Sequence, residues 1–241
     1  MSAQPPVPRI VPALLSFAAG YVDACTFLAL FGLYVAQVTG SFVVFGAGLV
    51  ARDQGFLIKV LAIPVFFLAG VLTTILAALL RRRGHAPLAF ALALECVLIA
   101  GLLALGVVEP FREDPNAPLT LAAALLGLSA MGVQSAAVRL MLPGVASTNV
   151  MTTNTTLFAI DTAELLLGWH GARRGDAAAA AQYDGARERL ASLVPLWLGF
   201  LLGTAAGAVG YVSLGLWCLI LILAVLIALI AWAVRRVRLN H

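Results

Sequence analysis

Ala19-Gly20-Tyr21-Val22-Asp23-Ala24, with the polar interruption Thr39-Gly40-Ser41 behind it, decides how this chain is read. The pattern returns in the second half as Met131-Gly132-Val133-Gln134-Ser135-Ala136, followed by an interruption from Ser147 to Thr156. In each half the glycine precedes its interruption by about 15–20 residues. A shorter or more polar segment follows, and then two long apolar stretches. Paired halves with breaks at corresponding places point to a membrane bundle with a binding site between its repeats.

Composition sets the environment. The 241 residues are 62% hydrophobic and 11% charged, with a mean hydropathy of +1.03. Soluble domains carry roughly 25% charge. Apolar stretches at 11–36, 57–80, 86–108, 119–141, 192–212 and 214–234 reach the ~20 residues that a bilayer crossing needs. We therefore expect an all-α polytopic membrane bundle, a single transmembrane domain over 1–241, with internal repeats about 11–108 and 119–236. No basic region precedes the first apolar stretch and no small-residue cleavage site follows it, so it reads as a retained helix. The net charge of +4 comes from basic residues beside apolar segments, which fits a role in topology and not nucleic-acid binding.

Two segments stand apart. Ser41 to Ala51 spans only about 16 Å as a helix, half of the ~30 Å hydrocarbon core. The segment 149–168 opens with Asn149, Thr152, Thr153, Asn154, Thr155 and Thr156 and carries Asp161 and Glu164. Both read as broken or re-entrant helices. Each repeat then keeps three spanning helices, the repeats are inverted, and both termini are cytoplasmic. Twelve of the fifteen Lys and Arg fall inside on this topology, against eleven if both odd segments cross. The compact Arg81-Arg82-Arg83 cluster decides for the cytoplasmic side, leaving the acidic link 109–115 outside. Trp169 to about Leu190 reads as a cytoplasmic connection with a short surface helix starting near Asp176.

The candidate chemistry sits at the breaks. A helix that begins inside the bilayer presents unpaired N–H groups and the positive end of its dipole. Thr39, Gly40 and Ser41 offer one such start, and Thr152, Thr153 and Asn154 offer the other. Together with Gln134 and Ser135 they form the expected substrate site. Asp23 and Glu95 are acidic residues at bilayer depth, where charge costs about 2.5–3.5 kcal/mol on insertion scales, and are the candidates for proton coupling. Arg139 is expected to pair with Asp161 and Glu164 as a gate or structural ion pair. Gly199, Gly203 and Gly207 recur every fourth residue and mark a close helix contact, within the bundle or across a homodimer. Cys25, Cys96 and Cys218 lie in apolar stretches, and His85, His170 and His241 have no metal spacing. Neither a metal nor another cofactor is expected, and no hydrolase or nucleotide-binding motif argues for an enzyme.

Gly20-x-x-Asp23-Ala24, Phe27-Leu28, Gly32, Ala36, Thr39-Gly40-Ser41, the Met131–Ala136 run, Arg139 and the threonines at 152–156 together resemble the YoaK-like family. Ser41 departs from the pattern, in which asparagine commonly follows Thr-Gly. The resemblance implies a bacterial inner-membrane protein of the small-molecule transporter type, without a substrate. From the residues and the resemblance together the expected function is secondary transport of a small molecule, an anion being the class that two helix starts would suit. A passive channel and a non-transporting scaffold are the alternatives.

Overall fold

The structure, a computed structural model, describes residues 7–51, 55–108 and 114–238. Arg52, the 109–113 part of the acidic link and His241 lie outside the described residues. The described chain is all-helical: α1 (Ile10–Ala29), α2 (Val38–Ala51), α3 (Phe56–Arg82), α4 (Pro87–Val108), α5 (Pro118–Met141), α6 (Met151–Arg173), α7 (Ala177–Leu214), a 3-10 turn (Gly215–Leu219) and α8 (Ile220–Arg238). Five helical stretches are long and apolar enough to cross a membrane, and the last, Ala177–Val237, contains both α7 and α8. The protein is a multi-pass helical membrane protein by length and composition.

Local chemistry explains the boundaries. Pro118 occupies the first turn of α5, where its missing N–H costs nothing. The α3 helix ends in a Schellman turn: Gly84 takes φ +73°, its N–H reaches Arg81 O, and His85 N–H reaches Leu80 O at 2.9 Å. The tight turn into α4 keeps Arg81–Arg83 at one end of the bundle. Asp176 caps α7 by accepting from Ala178 N at 2.9 Å and Ala179 N at 3.3 Å. The expected short surface helix is thus the opening of a 38-residue helix about 57 Å long, roughly twice the hydrocarbon thickness.

Glycine sets the closest contacts. Gly199, Gly203 and Gly207 of α7 rest on the backbone of Ala13, Phe17 and Tyr21 of α1, in rising order, so the two helices run parallel. A Cβ at any of the three would come under 3.0 Å from an α1 carbonyl oxygen. Gly20 of α1 meets Phe200 O of α7 in the same way, and Gly132 of α5 meets Phe66 O of α3. Small residues at such points let backbones approach, which is how helices gain dispersion contact in lipid. The glycine face is taken up inside the chain. Gly199, Gly203 and Gly207 thus make the close contact within the bundle, against α1.

The remaining contacts order the bundle. α4 packs between α5 and α8, α5 also packs on α3, α6 lies along α7, and α2 rests on α3. Gly55, just before α3, touches Phe31, just after α1, and Pro115, just before α5. At the opposite end Arg81 Nη2 donates to Leu140 O at 2.9 Å, and Pro87, Pro143 and Arg236 surround the same recess.

Candidate functional site

Two non-helical loops carry the site. Residues 30–37 follow α1 and 142–150 follow α5. Unpaired backbone polar groups cost several kcal/mol in hydrocarbon, so such loops persist at depth only where side chains satisfy them. Asp23 does this for the first loop. Its buried carboxylate Oδ1 accepts from Val35 N and Ala36 N, both at 2.8 Å. In the second loop, Ser147 O accepts from Asn154 Nδ2 at 2.7 Å, and Thr148 O accepts from Ser16 Oγ of α1 at 3.0 Å.

Asn149 joins the loops. Its Nδ2 donates to Ala36 O at 3.1 Å and to the Ser135 hydroxyl, while its Oδ1 accepts from Ser147 Oγ at 2.9 Å. One amide therefore ties loop 30–37, loop 142–150 and helix α5 together. Substituting alanine at Asn149 leaves Ala36 O and the 147–149 turn without these partners. Asn149→Ala is expected to cost about 1–3 kcal/mol. It would be read as a melting temperature several degrees lower in detergent, with Asn149→Gln recovering part of the loss.

The tied loops place both helix starts on one cavity of about 830 Å³. Gln37, Thr39, Ser135, Arg139, Ser147 and Asn149 line it, and so do Thr152, Thr153 and Asn154. Val150, at the N-cap of α6, contributes no side-chain cap. The first-turn N–H groups of α6 therefore have no side-chain acceptor there, and none inside their own helix. Thr152 and Thr153 lie inside the first turn and are exposed.

The other candidate residues take different places. Gly40 lies against the Tyr34 ring and Ser41 is buried, neither of them on the cavity lining. Gln134 turns away toward α1, donating to Leu15 O at 2.6 Å. Asp23 stands behind its loop and borders a separate recess with Tyr34, Gln37 and Thr204. Glu95 is buried on the face of α4 that carries Leu92 and Ile99, and among the described residues neither of its carboxyl oxygens has a partner.

The expected pairing of Arg139 with Asp161 and Glu164 is corrected. Arg189 of α7 holds both, at 2.6 Å from Asp161 and in a second contact to Glu164. The reason is the α6–α7 hairpin, which brings α7 back along α6 and also sets Trp197 Nε1 on Thr155 Oγ1 at 3.1 Å. Among the described residues Arg139 forms no salt bridge, and it faces the cavity instead.

Comparison with known families gives one match. The model of a family described as "Protein of unknown function (DUF1275)" matches residues 11–232, nearly the whole chain. The chain belongs to the DUF1275 family. The matched region of this DUF1275 protein includes α2 to α7, all but the ends of α1 and α8, and both loops of the site. No curated protein and no solved structure matches it.

Proposed function

We propose that this protein is a secondary transporter of a small anionic molecule, with its binding site in the cavity between the two loops. The observation that carries the reading is the joint one at Asn149: two helix starts from separate halves of the chain are fastened around one cavity that mixes polar and apolar side chains. Their N–H donors and Arg139 suit an anion, and they need no buried acid to attract it. A non-transporting scaffold has no use for such a cavity, nor is an enzyme indicated by the residues that line it.

The topology proposed from the sequence is supported by the ends of the helices. Gly55 lies beside Phe31 and Pro115, so α2 ends where α1 ends, having begun at the Asp23-held loop. We read α2 as re-entrant, and α6 as its counterpart returning toward the Arg81 end. The repeats correspond through Gly20 on α7 and Gly132 on α3, each on a phenylalanine carbonyl. This leaves six crossings in two inverted repeats, with both termini cytoplasmic by the Arg81–Arg83 rule. The YoaK-like resemblance and a bacterial inner-membrane location belong with this reading.

Solid-supported membrane currents in proteoliposomes test it, using chloride, formate, acetate, lactate and phosphate as probes. At least one should give a saturable signal and counterflow, which a passive channel does not show. Thr39→Val combined with Thr153→Val should raise the half-saturating concentration about tenfold or more, as expected for losing ~1.5 kcal/mol or more of hydrogen bonding to a charged ligand. Folded protein that gives no signal above protein-free liposomes with any of the five anions would defeat the proposal.

A further inference from the structure

Beside this cavity runs a second one that is more apolar still. A trough of about 690 Å³ lies between α2 and α5 over the surface of α3, and its walls are almost entirely apolar. Ile63, Phe66, Phe67, Gly70, Val71, Thr74 and Ile75 form a single stripe along α3 as its floor. From residue 63 to 75 that stripe is about 18 Å long, close to the ~15 Å depth of one leaflet's hydrocarbon. Phe67, Val71 and Ile75 are exposed, and the trough is open laterally. Val38, Phe66, Ser135 and Arg139 border both this trough and the first cavity. Gly70 opens the floor, since a Cβ there would have nothing within 4 Å.

A charged end and one apolar trough of leaflet length define an occupant. We infer that the substrate is a single-chain amphiphile with an anionic head, of the long-chain carboxylate class, entering sideways from the bilayer. Its head sits at Arg139, where the trough opens into the first cavity, and its chain lies along α3. Charge complementarity selects the head: Arg139 is the cation at the junction, and among the described residues it has no acidic partner. The single trough selects one chain over two. This inference rests on the proposed transport site and narrows its substrate.

Photolabelling with a diazirine analogue of palmitate tests it, on the purified full chain in nanodiscs of zwitterionic lipid. Labelling should be saturable, map to Phe42, Phe67, Val71 or Ile75, and be competed by palmitate but not by hexadecanol. Gly70→Phe, whose Cβ has open space, puts its ring into the trough and should cut specific labelling at least tenfold, while the protein stays monodisperse. Gly70→Leu serves as the second filling variant. Arg139→Gln should make palmitate and hexadecanol equal competitors. Equal competition in the unaltered protein, or labelling indifferent to both fillings, would mean that the trough holds bilayer lipid only and would overturn the inference. Stronger competition by phosphatidic acid than by palmitate would overturn it in favour of a two-chain occupant. If the unaltered protein carries currents of a small water-soluble anion while palmitate fails to compete with the label there, the amphiphile falls and the transport reading stands.

Discussion

Gly203→Leu is expected to abolish recovery of folded protein. The glycine lies on Phe17 of α1, and even a bare Cβ would come under 3.0 Å from that residue's carbonyl oxygen. The neighbour is backbone within a continuous helix, so it cannot swing aside. Overpacking of this kind costs about 1–3 kcal/mol and occasionally more, and a leucine in a backbone-to-backbone contact belongs at the upper end. Because Gly199 and Gly207 fix the same parallel pair one turn away on either side, α1 and α7 would have to separate along their whole contact. Gly203→Ala should already lower the melting temperature, whereas Gly70→Ala, with open space around it, should leave it unchanged or raise it. Size-exclusion profiles of the three variants, expressed in parallel, decide the matter. A monodisperse Gly203→Leu protein with normal thermal stability would show that α1 and α7 do not meet as described.

Asp23→Ala carries the second large effect. The carboxylate serves two amide donors at once, Val35 N and Ala36 N. Removing it leaves both buried amides without this partner, at about 1–3 kcal/mol each. Ala36 is also the residue whose carbonyl Asn149 grips, so loosening the first loop loosens the joint between the halves. Asp23→Asn retains an oxygen acceptor and should fold. If Asp23 acts by holding the loop, transport by Asp23→Asn should keep the pH profile of the unaltered protein while Asp23→Ala loses both yield and transport. Loss of pH dependence in a well-folded Asp23→Asn protein would instead restore the proton-coupling role.

The spanning segments were legible because bilayer length and hydropathy are properties of consecutive residues. The two breaks were legible only in their neighbourhood: the polar interruptions are Thr39-Gly40-Ser41 and 147–156, whereas the non-helical residues are 30–37 and 142–150, and Thr39-Gly40-Ser41 and 151–156 lie inside α2 and α6. Partners were harder to read. Asn149 looks like one more polar residue in a polar run, and its grip on Ala36 and Ser135 exists only once α1 and α5 are side by side. Arg189 was passed over for a related reason. With 169–190 read as a connecting piece, nothing placed it near Asp161, whereas a continuous α7 folded back on α6 sets them in contact across 28 residues of sequence. Gln134 and Ser135 are adjacent in sequence but face opposite tasks, since neighbouring positions on a helix point about 100° apart. One donates to α1 and the other lines the cavity.

The central claim is that two re-entrant segments bring their helix starts together within the bundle, and single-cysteine accessibility tests it most directly. Cysteines placed one at a time at positions 31, 57, 114, 83, 143 and 174, in a chain with Cys25, Cys96 and Cys218 replaced, would be labelled in intact cells with an impermeant maleimide. The re-entrant arrangement predicts that 31, 57 and 114 label from outside and that 83, 143 and 174 label only after permeabilisation. If α2 and α6 crossed the membrane instead, 31 would separate from 57, and 143 from 174. Labelling of either pair from opposite sides would contradict the account.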